Sequence, residues 1–157
     1  MCGIAGVFGV CAEDDVRLMC SHLSHRGPHA LSVASGVNWS VGGVHLHIIP
    51  EGTSNILTPE KKDAIAFNGE IYNFKQLGLQ IGQSVSTDTE LVAWLAHEPP
   101  EHWVVQLEGM FAIALCLGDE LTLIRDRFGI KPLFYTEPQK GCIYFASELK
   151  ALVRLAS

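Results

Sequence analysis

The stretch MCGIAGVFGV, residues 1–10, opens the chain. From Gly3 to Val10 every residue is apolar or glycine, with no polar alternation. A strand exposed on one face alternates, whereas a continuous apolar run reads as a strand buried on both faces. A secretory leader would begin with basic residues and end at a small-residue cleavage site before a polar region, and this stretch has neither. It therefore predicts a buried strand of the protein's own core.

Working outward, 157 residues make one ordinary domain with enough chain to bury a core. Apolar residues make up 48% and are spread along the whole length, which excludes a disordered chain. No apolar run reaches the ~18–20 residues that cross a bilayer, so no membrane is expected. The net charge is −6, with no Lys/Arg cluster to oppose it, so no nucleic acid is expected as partner. The cysteines, Cys2, Cys11, Cys20, Cys116 and Cys142, are odd in number and form no CxxC pair. That pattern suits a reducing compartment, and the cytoplasm is the expected location.

After the first strand, Asp14 or Asp15 is placed to cap a helix running to about His22, with Val16, Met19, Cys20 and Leu23 on one face. HRGP (25–28) ends it. Residues 38–49 predict two strands about Gly42–Gly43. Residues 63–68 predict a strand running into a turn at Gly69. Asp88 opens the helix TELVAWLAH, and a second short helix is expected near 101–107. MFAIALCL (110–117), a Gly118–Asp119 turn and LTLIRD (121–126) predict a hairpin. PLFY (132–135) and CIYFAS (142–147) predict another, with Pro138 and Gly141 in its loop, before the amphipathic helix ELKALVRLA. Two sets of strands with segregated helices predict an α+β protein of two packed sheets covered by helices.

Cys2 precedes the small Gly3, a context in which Met1 is readily removed. Cys2 would then carry both a thiol, of ordinary pKa about 8.5, and an α-amine, of about 7.7–8.0. Such an amine takes the thiol proton near neutral pH, so one residue supplies nucleophile and base.

MCGIAGVFG, HRGP (25–28), FNGEIYN (67–73), STDTELV (86–92), GMFAIAL (109–115), RDRFGIKPLFY (125–135) and FASELKAL (145–152) occur in this order. Together they resemble the glutaminase domain of asparagine synthetases, of the class II glutamine amidotransferases, within the N-terminal-nucleophile hydrolases. The resemblance implies a four-layer αββα sandwich, glutamine as substrate and no cofactor. It implies Cys2 as nucleophile, with the Asn68 side chain and the Gly69 N–H as oxyanion donors. Glu70 and Asp88 would hold the glutamine ammonium, and Arg26 would shape the site as a nearby cation. Each position also has a plainer reading: Asn-Gly is a strong hairpin turn, Asp88 a helix cap or a first-turn acid, and Arg26 a surface or structural arginine.

The chain departs from the resembling pattern at two places. HRGPD becomes HRGPH, with His29 for the aspartate. The strand that supplies an Arg to clamp the substrate carboxylate here reads VGGVHLHII, which puts His45 at that position, or His47 in a shifted match. A guanidinium is a fixed, permanently charged fork; a histidine is neither, and clamps best protonated, below about pH 6.5. The expectation is weak glutamine binding, another amide, or lost glutaminase activity. His45 with His47, and His22 with His25, have spacings a metal could bridge, but no third ligand follows, so no metal is expected.

The sequence shows neither a Ser-Gly-Gly-x-Asp-Ser-like phosphate loop nor a Walker-type loop. Residues 1–157 are therefore expected to be a single glutaminase domain with the synthetase domain absent. Its ammonia would pass to a separate ATP-dependent synthetase subunit, and self-association is the other expected partnership. The rival readings are an N-terminal-nucleophile hydrolase of another amide, and a weakened domain that binds a partner or an amino acid without turnover.

Overall fold

The computed structural model describes residues 2–9, 13–46, 55–59 and 62–153. Met1, Val10, Cys11, His47 and the part of the expected final helix beyond residue 153 lie outside the described residues. The elements run β1 (Gly3–Phe8), α1 (Glu13–His22), β2 (Ala30–Ser35), β3 (Trp39–His45), β4 (Ile56–Leu57), β5 (Ala64–Ile71), α2 (Phe74–Gln80) and α3 (Asp88–Leu95). There follow α4 (Pro100–Trp103), continued by a 3-10 turn at Val104–Gln106, then β6 (Gly109–Leu117), β7 (Glu120–Arg125), β8 (Phe134–Gln139), β9 (Cys142–Ala146) and α5 (Leu149–Val153).

The strands form two antiparallel sheets, ordered β2-β3-β1-β9-β8 and β4-β5-β6-β7. The opening stretch is a buried strand as expected, and it is also central: β1 lies between β3 and β9. Strand alternation sends its side chains to two different cores. Ala5 and Val7 pack with Val16, Met19 and Cys20 of α1 and with Ala151 and Leu152 of α5. Ile4 packs inward with Trp39, Val41 and Phe145 against Ala64, Ala66 and Ala114 of the other sheet. The far face of that sheet buries Ile65, Phe67, Ile113 and Leu115 under Leu77, Leu91, Val92 and Trp103 of the remaining helices. Three apolar interfaces thus separate four layers, helix, sheet, sheet and helix, as expected.

The structure corrects several local expectations. Gly42–Gly43 is not a turn; β3 runs straight through it. A Cβ on Gly42 would lie 2.6 Å from Cys20 Sγ, and one on Gly43 2.1 Å from Asn55 Oδ1, so both glycines mark close approaches within one strand. Its partner is β2, which the sequence reading passed over. Likewise β5 does not turn at Gly69 but pairs with β6 as far as Ile71↔Gly109. Gly69 has φ +154, and a Cβ there would meet Met110 O at 2.1 Å. Pro138 lies inside β8, an exposed edge strand whose register breaks between Thr136 and Gln139, where a missing N–H is harmless. The short β4 and the helix α2, which contains Gly78, carried too little periodicity to be read.

Candidate active site

The site gathers at one end of the inter-sheet layer, where β1 begins, β5 leaves the β4 edge, and α3 and α5 start. Of the described cysteines Cys2 alone is not buried. Burial pushes the Cys20 and Cys116 thiols up to about 12, which leaves them inert near neutral pH.

HRGP packs against the end of β3. Pro28 bridges His45, and His29 N–H donates to His45 O at 3.1 Å. A Cβ on Gly27 would lie 2.4 Å from His45 N, so only glycine permits this approach. The turn delivers Arg26, 8% exposed, to the first residue of the site. Its Nε donates to Cys2 O at 3.1 Å and its Nη1 to Glu148 Oε1 at 2.9 Å. Glu148 also pairs with His25 (2.9 Å) and Lys150 (3.2 Å). Burial alone would raise the Glu148 carboxyl, but the bonds from Arg26, His25 and Lys150 outweigh it and bring it down to about 2.

Asn68 is 1% exposed and, like Ala64 and Ala66, faces the inter-sheet layer. Its Nδ2 donates to Ser147 Oγ at 3.4 Å, and the same oxygen accepts the Ile4 N–H at 2.9 Å. Ser147 N–H returns a bond to Ile4 O at 2.8 Å. Two residues before Gly69, Phe67 N–H donates to Asn55 O; two residues after, Ile71 N–H donates to Asp88 Oδ2. Both point away from β6, and the two-residue alternation of an antiparallel strand sets the Gly69 N–H on that same edge, beyond the end of the β4 pairing. The plain hairpin reading of Asn68–Gly69 is thereby removed.

Of the two plain readings of Asp88, the helix cap falls to Thr87, whose Oγ1 accepts Glu90 N–H at 3.1 Å while Glu90 Oε2 accepts Thr87 N–H, a capping box, and Asp88 lies in the first turn. Asp88 is left to accept Ile71 N–H at 3.3 Å and Thr89 N–H at 3.0 Å. Burial raises its pKa; the backbone bonds oppose this, and the neighbouring Glu70 charge adds to it. Two neighbouring carboxylates form a ready site for a cation.

His45 is 7% exposed, and its Nε2 accepts Asn55 N–H at 3.2 Å. That bond requires the ring proton on Nδ1, so gripping a carboxylate through Nε2 would require His45 to release Asn55. Asn55 in turn donates from Nδ2 to Gly3 O at 3.4 Å. Asn55, Ser147 and Glu148 took no part in the sequence reading of the site. FASE had drawn notice as a motif; Asn55 lay in a stretch with no signal. A cavity of about 600 Å³ elsewhere, between α5 and the β8–β9 hairpin, is lined by Asp15, Tyr135, Tyr144 and Leu152 among others, and none of the expected site residues lines it. Among the described residues no group of His, Cys, Asp and Glu is arranged to hold a metal.

The fold is an αββα sandwich in which Cys2 immediately precedes its central strand. The fold agrees with a solved structure, glutamine phosphoribosylpyrophosphate amidotransferase from B. subtilis complexed with ADP and GMP. It matches with a TM-score of 0.79 over 98% of this chain and 43% of that one, at 20% identity. The family profile described as "Glutamine amidotransferase domain" matches residues 1–157. The chain belongs to that family. It is 32% identical to asparagine synthetase [glutamine-hydrolyzing] 2 of Bacillus subtilis (strain 168), over 97% of this chain and 22% of that protein. It is also 32% identical to asparagine synthetase B [glutamine-hydrolyzing] of Escherichia coli (strain K12), over 98% of this chain and 30% of that protein. The chain thus spans less than a third of these relatives.

Proposed function

We propose that this domain hydrolyses glutamine to glutamate and ammonia through a thioester on Cys2. The α-amine of Cys2, freed by removal of Met1, takes the thiol proton as sulfur attacks the side-chain amide carbon. The oxyanion is met by Asn68 Nδ2 and the Gly69 N–H. The amine's proton then passes to the leaving nitrogen, and ammonia departs. Water attacks the thioester, again with the amine as base, and releases glutamate. Glu70 and Asp88 receive the substrate ammonium, while Arg26 holds the Cys2 main chain. The observation that carries this reading is the pairing of the one non-buried described cysteine with Asn68 through Ile4 and Ser147.

His45 stands where the carboxylate clamp would be and is engaged by Asn55, so the same reading includes weak glutamine binding that improves as pH falls. The alternative of a domain that binds an amino acid or partner without turnover draws on this one feature. Glutaminase activity measured against Cys2→Ala, with intact mass to show whether Met1 is removed and a glutamine-like diazoketone to label Cys2, separates the readings. Loss of activity and labelling in Cys2→Ala supports thioester chemistry. Retained Met1 on natural protein removes the single-residue nucleophile and base. Ordinary glutamine affinity at pH 8 removes the weak clamp.

The ammonia acceptor is proposed to be an ATP-dependent synthetase-type partner. Supporting a partner, Phe128 and Ile130 are 83% and 57% exposed on one tight loop. Residues 1–157 are read as one glutaminase domain acting in the cytoplasm. No helix among the described residues is long and apolar enough to cross a membrane.

A further inference from the structure

The corner between β9 and α5, residues Ser147 and Glu148, touches both halves of the catalytic pair. We infer that these two are positioning residues that set the nucleophile against the oxyanion donor, an inference that rests on the assignment of Cys2 and Asn68 above. Ser147 is fully buried, and its single hydroxyl oxygen accepts from Ile4 N–H on one side and Asn68 Nδ2 on the other. It therefore fixes the Asn68 amide relative to β1, the strand that follows Cys2. Glu148, the next residue, holds Arg26 by Nη1, and Arg26 holds the Cys2 carbonyl by Nε. The peptide plane between Cys2 and Gly3 decides where the α-amine and thiol of Cys2 point, and this bond orients that plane. Arginine is long and flexible; with Glu148 on one nitrogen and Cys2 on another its guanidinium plane is set.

Because Ser147 and Glu148 are adjacent, one short backbone segment controls both reacting partners, and a displacement of it alters their separation. Glu148 keeps its charge through the whole working range, since its carboxyl sits at about 2. His25 and Lys150 share its oxygens, so Arg26 is not its sole support.

The test uses the full, Met1-processed chain. Cys2 is the only cysteine followed by glycine, so carbonyl-labelled cysteine with nitrogen-labelled glycine yields one Cys2–Gly3 resonance. In Glu148→Ala that carbonyl signal is expected to move upfield as the Arg26 bond loosens, and in Glu148→Gln, which keeps an acceptor oxygen, to stay near wild type. Turnover is normalised to sites titrated with a glutamine-like diazoketone, so that simple loss of folded protein does not count. Per titrated site, kcat should fall at least tenfold in Glu148→Ala and Ser147→Ala, with KM within about twofold, and should recover in Glu148→Gln and Ser147→Thr. An unmoved Cys2 carbonyl signal in Glu148→Ala, or wild-type kcat per site in both alanine variants, overturns the inference. A wild-type chain that gives no glutamine hydrolysis, yet shows the carbonyl shift in Glu148→Ala, overturns the proposed function and leaves the positioning link standing.

Discussion

Asp88 carries a cost that its proposed role explains. Burial raises its pKa in the folded protein, so the native state holds the proton more tightly than the unfolded chain does. The sign follows directly: Asp88 favours folding below its unfolded pKa, and that contribution is lost as pH rises through the folded value. At pH 7 the ionised carboxylate therefore opposes folding, beside a second carboxylate, Glu70. A substrate ammonium would reverse the balance. Asp88→Asn should leave the thermal midpoint at pH 7 equal to or above wild type, with the gap closing in acid, while KM for glutamine rises at least about tenfold, the loss of one charge-assisted contact. Thermal denaturation at two pH values and steady-state kinetics check both parts; a lower midpoint at pH 7 with unchanged KM would assign Asp88 a purely structural role. Asn68 makes the complementary case. It is buried, and while one Nδ2 hydrogen is directed to Ser147 at 3.4 Å, the amide carries a second for the oxyanion. Asn68→Ala should lower kcat about 100- to 1,000-fold, as loss of one oxyanion donor does, and leave KM nearly unchanged.

At the scale of elements, the glycines decide how close the parts come. Gly42 faces α1, where a Cβ would lie 2.6 Å from Cys20 Sγ and 2.8 Å from Val16 Cγ1. Gly42→Ala should therefore cost about 1–3 kcal/mol by overpacking, read as a drop in thermal midpoint with kcat per titrated site preserved. Gly43→Ala meets Asn55 at 2.1 Å instead. It should disturb both the Asn55–Gly3 bond and the His45–Asn55 bond, and so change KM as well as stability. These positions also show where the sequence was legible. Long apolar runs such as 3–8 and 109–117 were readable because burial on both faces leaves no polar residue to interrupt them. Gly42–Gly43 and Asn68–Gly69 misled because turns and close approaches select the same residue, and only the neighbour across the gap tells them apart. Within the candidate site, Cys2, Asn68 and Asp88 could be named from residue type and from the order of the motifs that carry the resemblance. Ser147 and Glu148 are linked to Asn68, Arg26 and Ile4 across 79, 122 and 143 positions, and no local pattern carries such a link.

At the scale of the molecule, one surface feature asks for an occupant. Asp126 gathers four backbone N–H groups, those of Phe111, Phe128, Ile130 and Lys131, on its two oxygens. Burial would raise its pKa, but these bonds prevail and lower it, so the carboxylate stays ionised and the loop stays closed. Gly129 at φ +63 completes the turn, with Arg125 packed beneath it and bonded to Gly129 O. The result is a rigid mount whose outward side chains are Phe128 and Ile130, apolar groups exposed to 83% and 57%. Such a cluster held by an ion-like hydrogen-bond hub suits a docking surface better than a mobile loop, because little ordering entropy is left to lose on binding. Phe128→Ser with Ile130→Asp should leave glutamine hydrolysis by the domain within about twofold. The same pair should weaken association with the proposed ATP-dependent synthetase partner at least tenfold, as measured by sedimentation or calorimetry with the purified partner. Asp126→Asn should weaken the same association through the loop rather than the contact, with a lower thermal midpoint that the surface pair does not share. If the surface pair binds the partner as wild type does, the loop is not the docking element and ammonia must leave by another face.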